Sequence, residues 1–369
     1  MRTGDRIDRV RLSLVYLPIQ SSPGDATAPP LTEVAFLFTE LGTTDGHAGL
    51  GFSYAKRAGG PALYAHAKEI VPSLLGEDPN DIGRVWEKLA GAGASIGRGG
   101  LATHAIGAVD IGLWDLKAKR ANLPLAKLLG THRDAVFCYH TIGGSPSQSM
   151  DELSDNATRS LEQGAAGIKV EIGQPDPIPD LTQLHARLGR AVPLIVNANQ
   201  QWDRPTALRT GRALEPLSLT WLEAPLDAHD TEGLAKLATA LDTPIATGES
   251  LTDADEHWHL IQAGAADYLQ PDAPRIGGIT PFLRTATLAH QNRLAIAPPF
   301  AAELHVHLAA AYPGTAWVEH VTWLEPLFNE RLELKDGTIL VPDRAGIGLT
   351  LSERSRVWTT DRIEFAESV

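Results

Sequence analysis

From Val136 onward the chain repeats one unit, a short apolar run ending in polar residues and then a helical stretch of about ten residues. The runs begin at Val136, Gly167, Leu194, Thr220, Ile245, Asp267, Leu294 and Trp317. Their starts lie roughly 22 to 31 residues apart, the length of a strand–helix unit. Eight such units in register predict an α/β chain folded as a (β/α)8 barrel, whose strands must be parallel and covered by helices. A hydrophobic fraction of 43% supplies the core that such a barrel needs.

The first third is different in kind. Residues 9–17 and 32–39 read as strands, separated by a turn rich in Ser, Pro, Gly and Ala over 21–30. Ala62 to Leu75 and Asp81 to Leu89 read as helices, with Asp81 in the N-cap position. A long helix is predicted over Leu101 to Lys119, where Ala105, Val109, Leu113 and Leu116 recur at three- and four-residue spacing.

Composition narrows the class of partner. Asp and Glu number 45 against 32 Lys and Arg, a formal net charge of −13. A nucleic-acid or anionic-membrane partner would need a basic face, so neither is expected. A single cysteine, Cys138, excludes an internal disulfide framework and any cysteine-built metal cage. Met1 to Gln20 has the pattern of neither a signal peptide nor an anchor. No apolar run approaches the roughly 20 residues of a spanning helix. A cytoplasmic protein is the expectation.

Barrels of this type carry their chemistry at the C-terminal ends of the strands. Reading those ends in order gives His140, Lys169 with Glu171, Asn197 with Asn199, Glu223, Glu249, Asp272, Pro299 and Glu319. Solvated barrel rims are often polar, and any one of these residues fits that simpler reading. Glu223 and Glu249 on successive strand ends are harder to explain so. Two adjacent carboxylates repel unless a cation sits between them, and hard oxygen donors suit Mg²⁺.

The sequence resembles the enolase superfamily in its mandelate-racemase-like group, and within it the galactarate/L-talarate dehydratases. Long motifs carry the resemblance: SYAKRAGG (53–60), LLGEDPND (74–81), AVDIGLWDLKAKR (108–120), NQQWDRPTA (199–207), DTPIATGE (242–249), QPDAPRIGGITPFL (270–283), HLAAAYP (307–313), NERLEL (329–334) and GIGLTLSE (346–353). It implies an N-terminal α+β capping domain over 1–133, a barrel domain over 134–325, and a C-terminal segment, 326–369, that returns to the cap. It also implies abstraction of a proton beside a carboxylate, with one Mg²⁺ steadying the enediolate.

The family pattern maps onto this chain position by position. Three carboxylates of the third to fifth barrel strands hold the metal, and they fall on Asn197, Glu223 and Glu249. The Lys-x-Lys acid/base pair falls on Lys169 and Glu171. The Asp–His pair of the sixth and seventh strands falls on Asp272 and Pro299, and Glu319 is kept. Ala224 follows Glu223 where a second acid is usual. An amide ligand at 197 carries no charge, so Mg²⁺ binding is expected to be weak. Tyr54, Lys56, Arg57 and Asn199 are the expected substrate-binding residues, the first three on a loop that closes over the site in relatives.

Three departures disturb the usual two-base chemistry: Asn197, Glu171 and Pro299. Glu171 reads as a replacement base, as an ion-pair partner of Lys169, or as an added metal ligand. His140 reads as an acid/base or as a hydrogen-bonding group at its strand end. His305 and His307, two apart on a helix, point to different sides and read as structural. The function expected is a lyase or isomerase acting by Mg-assisted α-proton abstraction on a sugar-acid-like hydroxy-carboxylate, with a non-standard acid/base set. The other reading is a catalytically inactive homologue that binds or regulates. A homo-oligomer is expected from the family's habit.

Overall fold

A computed structural model describes residues 5–22, 31–143, 148–172 and 176–367. Most of the turn expected at 21–30 lies outside the described residues. The chain opens with three antiparallel strands, β1 (Ile7–Ser22), β2 (Leu31–Thr43) and β3 (Ala48–Ala55). Gly49 and Gly51 let β3 lie directly on the long helix that follows. A Cβ at Gly51 would overlap the Ala108 carbonyl.

Four helices complete the first part: α1 (Gly60–Ile70), α2 (Ile82–Ala92), α3 (Leu101–Arg120) and α4 (Leu125–Leu129). The helix expected over 62–75 is divided. Pro72 lacks the N–H that an α-helix needs, and Val71–Leu74 form a 3₁₀ turn instead. Asp81 stands at the N-cap of α2 but its carboxylate pairs with Arg84 at 2.5 Å and caps nothing. Helix α3 is buried on almost every side, because the cap sheet covers one face and the barrel the other.

The barrel follows as β4 (Ala135–Gly143), α5 (Met150–Glu162), β5 (Gly167–Glu171), α6 (Ile178–Leu188), β6 (Leu194–Asn197), α7 (Arg204–Leu214), β7 (Trp221–Glu223) and α8 (Thr231–Ala240). It continues as β8 (Ile245–Thr247), α9 (Ala254–Ala263), β9 (Tyr268–Leu269), α10 (Ile279–Gln291), β10 (Ala295–Ile296), α11 (Ala302–Ala311) and β11 (Trp317–Glu319). Local chemistry starts several of the helices. Ser149 and Glu152 form a reciprocal capping box on α5, Asp253 and Glu256 one on α9, and Asp203 and Asp230 cap α7 and α8. Successive strands from β4 to β10 pair in parallel, and β11 pairs with β4. A parallel bridge between Ile296 and Ala316 joins the last gap.

After the barrel, β12 (Leu334–Lys335) and β13 (Thr338–Leu340) make a hairpin against β4. Helix α12 (Glu353–Val357) leads to β14 (Thr359–Ala366), which lies antiparallel beside β1 in the cap sheet. Buried polar groups tie cap to barrel. Asp110 accepts from the Thr280 N–H (2.9 Å) and hydroxyl (2.6 Å), and Asp115 from the N–H groups of Leu50 and Ile347 (both 2.7 Å). No helix among the described residues is long and apolar enough to cross a membrane.

Candidate active site

Strand alternation builds the site in layers. Tyr139, Ile195, Trp221, Ala246, Ala297 and Trp317 point inward and fill the barrel, with Tyr268 packed against them. Two residues further along the same strands, the inward positions turn polar: Thr141, Asn197, Glu223, Gln270 and Glu319, joined by Lys169 of β5. Pro299 occupies that level beyond β10. The end of β3 and the turn after it, 53–59, then supply groups from above; Tyr54, expected on the loop, is a buried strand residue paired with Phe36 of β2, and the loop proper begins at Lys56.

Lys169 is the centre of the polar layer. Its ammonium lies 2.7 Å from Glu223 and 2.9 Å from Glu319, and 5.2 Å from the centroid of the Tyr139 ring. The side chain is 2% exposed. Burial works to lower its pKa, but the two carboxylates outweigh that and hold it well above its ordinary value. Lys169 is therefore a fixed positive charge. Glu223 is aimed by two further donors on its other oxygen, the Trp221 indole N–H at 3.0 Å and the Gln270 amide at 2.8 Å. Glu319 accepts from the Thr141 hydroxyl and from the Phe300 N–H at 2.9 Å. Burial opposes its ionisation, and Lys169 reverses that to bring its pKa below the usual carboxyl value.

The capping loop contributes a second cation. Lys56 pairs with Glu249 at 2.6 Å and lies 4.9 Å from the Phe300 ring centroid. Burial would raise the Glu249 carboxyl, but Lys56, Lys169 and Arg275 together bring it down to about 2. Tyr54, 1% exposed, donates its hydroxyl to Asp272. Burial pushes the Asp272 carboxyl up to about 7 against the opposing pull of Arg275 and of the Tyr54 bond. Ser53 anchors the loop by donating to the Pro274 carbonyl at 2.8 Å. Arg57 stands exposed on the same loop.

Glu171, at the end of β5, has no side-chain hydrogen bond or ion pair among the described residues. It makes no ion pair with Lys169, whose partners are Glu223 and Glu319. Burial raises its carboxyl above the ordinary value, with Lys169 pulling the other way. Asn197 and Asn199 form a reciprocal pair. The Asn199 N–H donates to the Asn197 carbonyl oxygen at 2.9 Å, and the Asn197 amide donates back to Asn199 at 3.0 Å. Asn199 has a φ of 49°, in the region that asparagine tolerates better than most residues.

His140 is elsewhere. Alternation turns it away from the inward Tyr139 and Thr141, and its ring meets His320 at 2.9 Å. Burial lowers its pKa, and His320 is lowered to about 4. The geometry is that of a buried neutral pair outside the barrel mouth. His305 lies 3.6 Å from Asp272, but its Nε2 accepts the Ala273 N–H at 3.1 Å and so cannot donate to that carboxyl. His307 faces Ala126 and Ile347 instead. Pro299 and Phe300 stand where the seventh-strand base was sought. Phe300, at a φ of 67°, packs its ring 4.3 Å from that of Tyr54, the two planes tilted by 42°.

Residues 152–355 match the family model described as enolase C-terminal domain-like, and residues 14–130 the N-terminal domain of mandelate racemase and muconate lactonizing enzymes. The chain belongs to this family of the enolase superfamily. It is 55% identical to an L-talarate/galactarate dehydratase of Salmonella typhimurium, over 99% of this chain and 94% of that one. A 3,6-anhydro-α-L-galactonate cycloisomerase of Streptomyces coelicolor is 34% identical, over 94% of this chain and 97% of that one. The crystal structure of L-talarate dehydratase from Polaromonas, complexed with Mg and L-glucarate, is 58% identical. It superimposes with a TM-score of 0.97 over 99% of this chain and 100% of that one.

The family implies a Mg²⁺ ion, and the donor set can be tested for it. Among the described residues no group of three or more His, Cys, Asp or Glu side chains forms a metal cage. Two carboxylates and one amide do come from successive strands, with Asn197 directly opposite Glu223 in the ladder. Mg²⁺ is commonly held by one or two carboxylates with substrate and water completing its shell. The Asn197 oxygen accepts one hydrogen bond and keeps a second lone pair. The donors fit the ion with one charge fewer, and the ammonium groups of Lys56 and Lys169 now rest on the two carboxylates.

Gln270, Trp221, Thr141, Arg275 and Phe300 were not among the expected site residues. The signal for the first three is the period of two. Each lies one inward step from, or two before or after, a position singled out on the same strand.

Proposed function

We propose that this protein is a lyase or isomerase that removes the α-proton of a sugar-acid-like hydroxy-carboxylate, using an acid/base set unlike the two-base set of its relatives. The observation that carries the reading is the fixed Lys169 ammonium between Glu223 and Glu319 at the C-terminal mouth of the barrel. Glu223 and Glu319 neutralise that ammonium in the unliganded site, so Lys169 stabilises negative charge on a substrate carboxylate once the ligand, or a cation on Glu223, takes over one of those pairings.

Asn197, Glu223 and Glu249 are the residues that would hold Mg²⁺. When bound, the ion supplies a Lewis acid for the substrate carboxylate. Glu171 is the base: among the described residues it has no side-chain hydrogen bond or ion pair, and burial raises its carboxyl above the ordinary value, which suits proton transfer. Lys56 exchanges Glu249 for a substrate oxygen, and Tyr54, Arg57 and Asn199 line the loop and rim that enclose the ligand. His140 takes no part in this scheme.

A second reading, a binding protein without catalysis, draws on Pro299, which has no proton-transfer group, and on the double neutralisation of Lys169. One experiment separates the two. The protein is incubated with Mg²⁺ in D₂O with galactarate, L-talarate, glucarate, arabinonate and galactonate, and followed by proton NMR. Loss of an α-proton signal that disappears in Glu171→Gln supports the enzyme. Silence across the panel, with ligand-dependent thermal stabilisation, supports the binder.

A further inference from the structure

Elimination of water from a hydroxy-acid needs two proton transfers on opposite sides. A base takes the α-proton, and an acid must protonate the departing hydroxyl so that it leaves as water. Glu171 stands at the end of β5. Four strands on, half-way round an eight-stranded barrel, the chain beyond β9 carries Asp272, so the two acids belong to opposite sides of the barrel. On the Asp272 side the usual imidazole is absent. Pro299 has no titratable group, and His305 uses Nε2 to accept from Ala273. Glu249 and Glu319 are held ionised by Lys56 and Lys169. What fills the gap is Tyr54, brought down from the cap to hydrogen-bond Asp272.

We infer that Tyr54 and Asp272 form the acid pair of the site, the cap supplying a hydroxyl in place of the missing strand-end histidine. The inference rests on the α-proton abstraction reading above. In the step, the Tyr54 O–H rotates from Asp272 to the departing oxygen and passes its proton there, while the protonated Asp272 carboxyl, now the donor across the same contact, passes its own to the phenol oxygen. The carbon–oxygen bond breaks as the α-carbon electron pair forms the double bond, and water is released. Tyr54 ends unchanged, Asp272 is ionised and Glu171 protonated; solvent restores both, and the enol product becomes the keto acid without net loss of a proton.

The surroundings suit that role. Asp272 is fully buried, with one carboxyl oxygen on Tyr54 and the other without a hydrogen bond. The charged groups around the pair are Arg275, Glu249 and Lys56, with the neutral His305 behind. Burial keeps the proton on Asp272 up to about pH 7 and on Tyr54 well beyond. The ring of Tyr54 packs 4.3 Å from that of Phe300, which keeps the phenol oxygen beside Asp272 while its O–H remains able to rotate.

The test compares wild type, Tyr54→Phe and Asp272→Asn, each confirmed folded by circular dichroism, with Tyr54→Phe/Asp272→Asn guarding against an unpartnered buried carboxyl in the first variant. Two readouts are taken on the same sugar-acid panel with Mg²⁺: α-proton exchange into D₂O, and keto-deoxy product. A third needs no substrate, a downfield, exchange-protected hydroxyl proton in the NMR spectrum. The expected result is that Tyr54→Phe keeps exchange and loses product by about 100-fold or more. The protected proton disappears in all the variants, and wild-type elimination falls as pH rises through about 7. Unimpaired product formation by Tyr54→Phe, or wild-type exchange with no product at all, overturns the acid pair alone. Absence of exchange by wild type across the panel removes the underlying reading and this inference with it.

Discussion

Lys56 and Lys169 make ion pairs of nearly equal length, 2.6 Å to Glu249 and 2.7 Å to Glu223, yet the energetics of losing them should differ several-fold. Lys169→Met strips the counter-charge from two carboxylates at once in a site where lysine and Glu223 are almost completely buried. Removing one partner of a buried pair costs about 3–5 kcal/mol, because the charge left behind cannot return to water. At about 2.1 cal/mol/K per residue, the 369 residues give an unfolding entropy that converts this loss to a fall of about 4–6 °C in Tm. Lys56→Met breaks a pair whose side chains are 35% and 25% exposed. Solvent screening limits such a pair to about 1 kcal/mol or less, a change near 1 °C. Differential scanning calorimetry and urea unfolding of both variants measure the contrast. The double variant Lys169→Met/Glu319→Gln, which removes one stranded charge, should recover part of the loss. Equal shifts for the two lysines, or a Lys169→Met loss below about 1 kcal/mol, would show that burial does not govern these pairs and would refute the reasoning.

Acid-side stability should have a definite slope. Asp272, Asp110 and Glu303 all have folded pKa values raised to about 7 by burial, so between about pH 4 and 7 these three groups hold more protons in the folded chain than in the unfolded one, opposite in sign to the buried histidines, whose pKa values are lowered. Stability contributed by the three acids is full below their unfolded values and is lost as pH rises to about 7. Asp110→Asn should remove one of those falling contributions, so the urea midpoint of the variant relative to wild type should rise between about pH 4 and 7, and a constant difference would count against the assignment. Asn197→Asp restores a third carboxylate to the metal donors and should tighten Mg²⁺ by about tenfold or more in isothermal titration; unchanged affinity would remove residue 197 from the donor set. Ala224 sits at a φ of 42°, where a side chain costs about 1–2 kcal/mol and glycine nothing. After the unfolded-state entropy of glycine is subtracted, Ala224→Gly should stabilise by about 0.5–1 kcal/mol, and a destabilised variant would refute that balance.

The sequence made the barrel legible because every strand must be apolar and every connection helical. The starts read at Gly167, Leu194, Ile245 and Trp317 are those of β5, β6, β8 and β11. The site was legible only as a list of strand ends. That list does not say which face a side chain takes, and His140 is the instance: one residue from the inward Tyr139, it turns outward to His320. Applying the two-residue period at that level would have removed it and added Thr141 and Gln270. No local rule gives the contacts from the cap. Tyr54 and Lys56 are separated from Asp272 and Glu249 by 218 and 193 residues, and only the packing of α3 between cap and barrel brings them together. The division of the helix at Pro72 was readable, since the proline lies within the expected span.

The departures at the strand ends and the groups delivered by the cap have to be considered together. Glu171 places a negative charge two residues after Lys169, the uncharged Asn197 stands opposite Glu223, and Pro299 beyond β10 carries no titratable group. Independent drift would leave carboxylates stranded in the barrel. Instead the half-buried Glu249 has Lys56, the buried Asp272 has Tyr54, and the buried Glu223 and Glu319 share Lys169, so each of these four acids has a donor. Two of those three donors come from one stretch of the cap, Tyr54 near the end of β3 and Lys56 just after it, so the charge balance of the barrel mouth depends on the packing of the cap against it. On that argument the cap is part of the chemical machinery of this protein, and substitutions in SYAKRAGG (53–60) should alter proton transfer as well as ligand affinity.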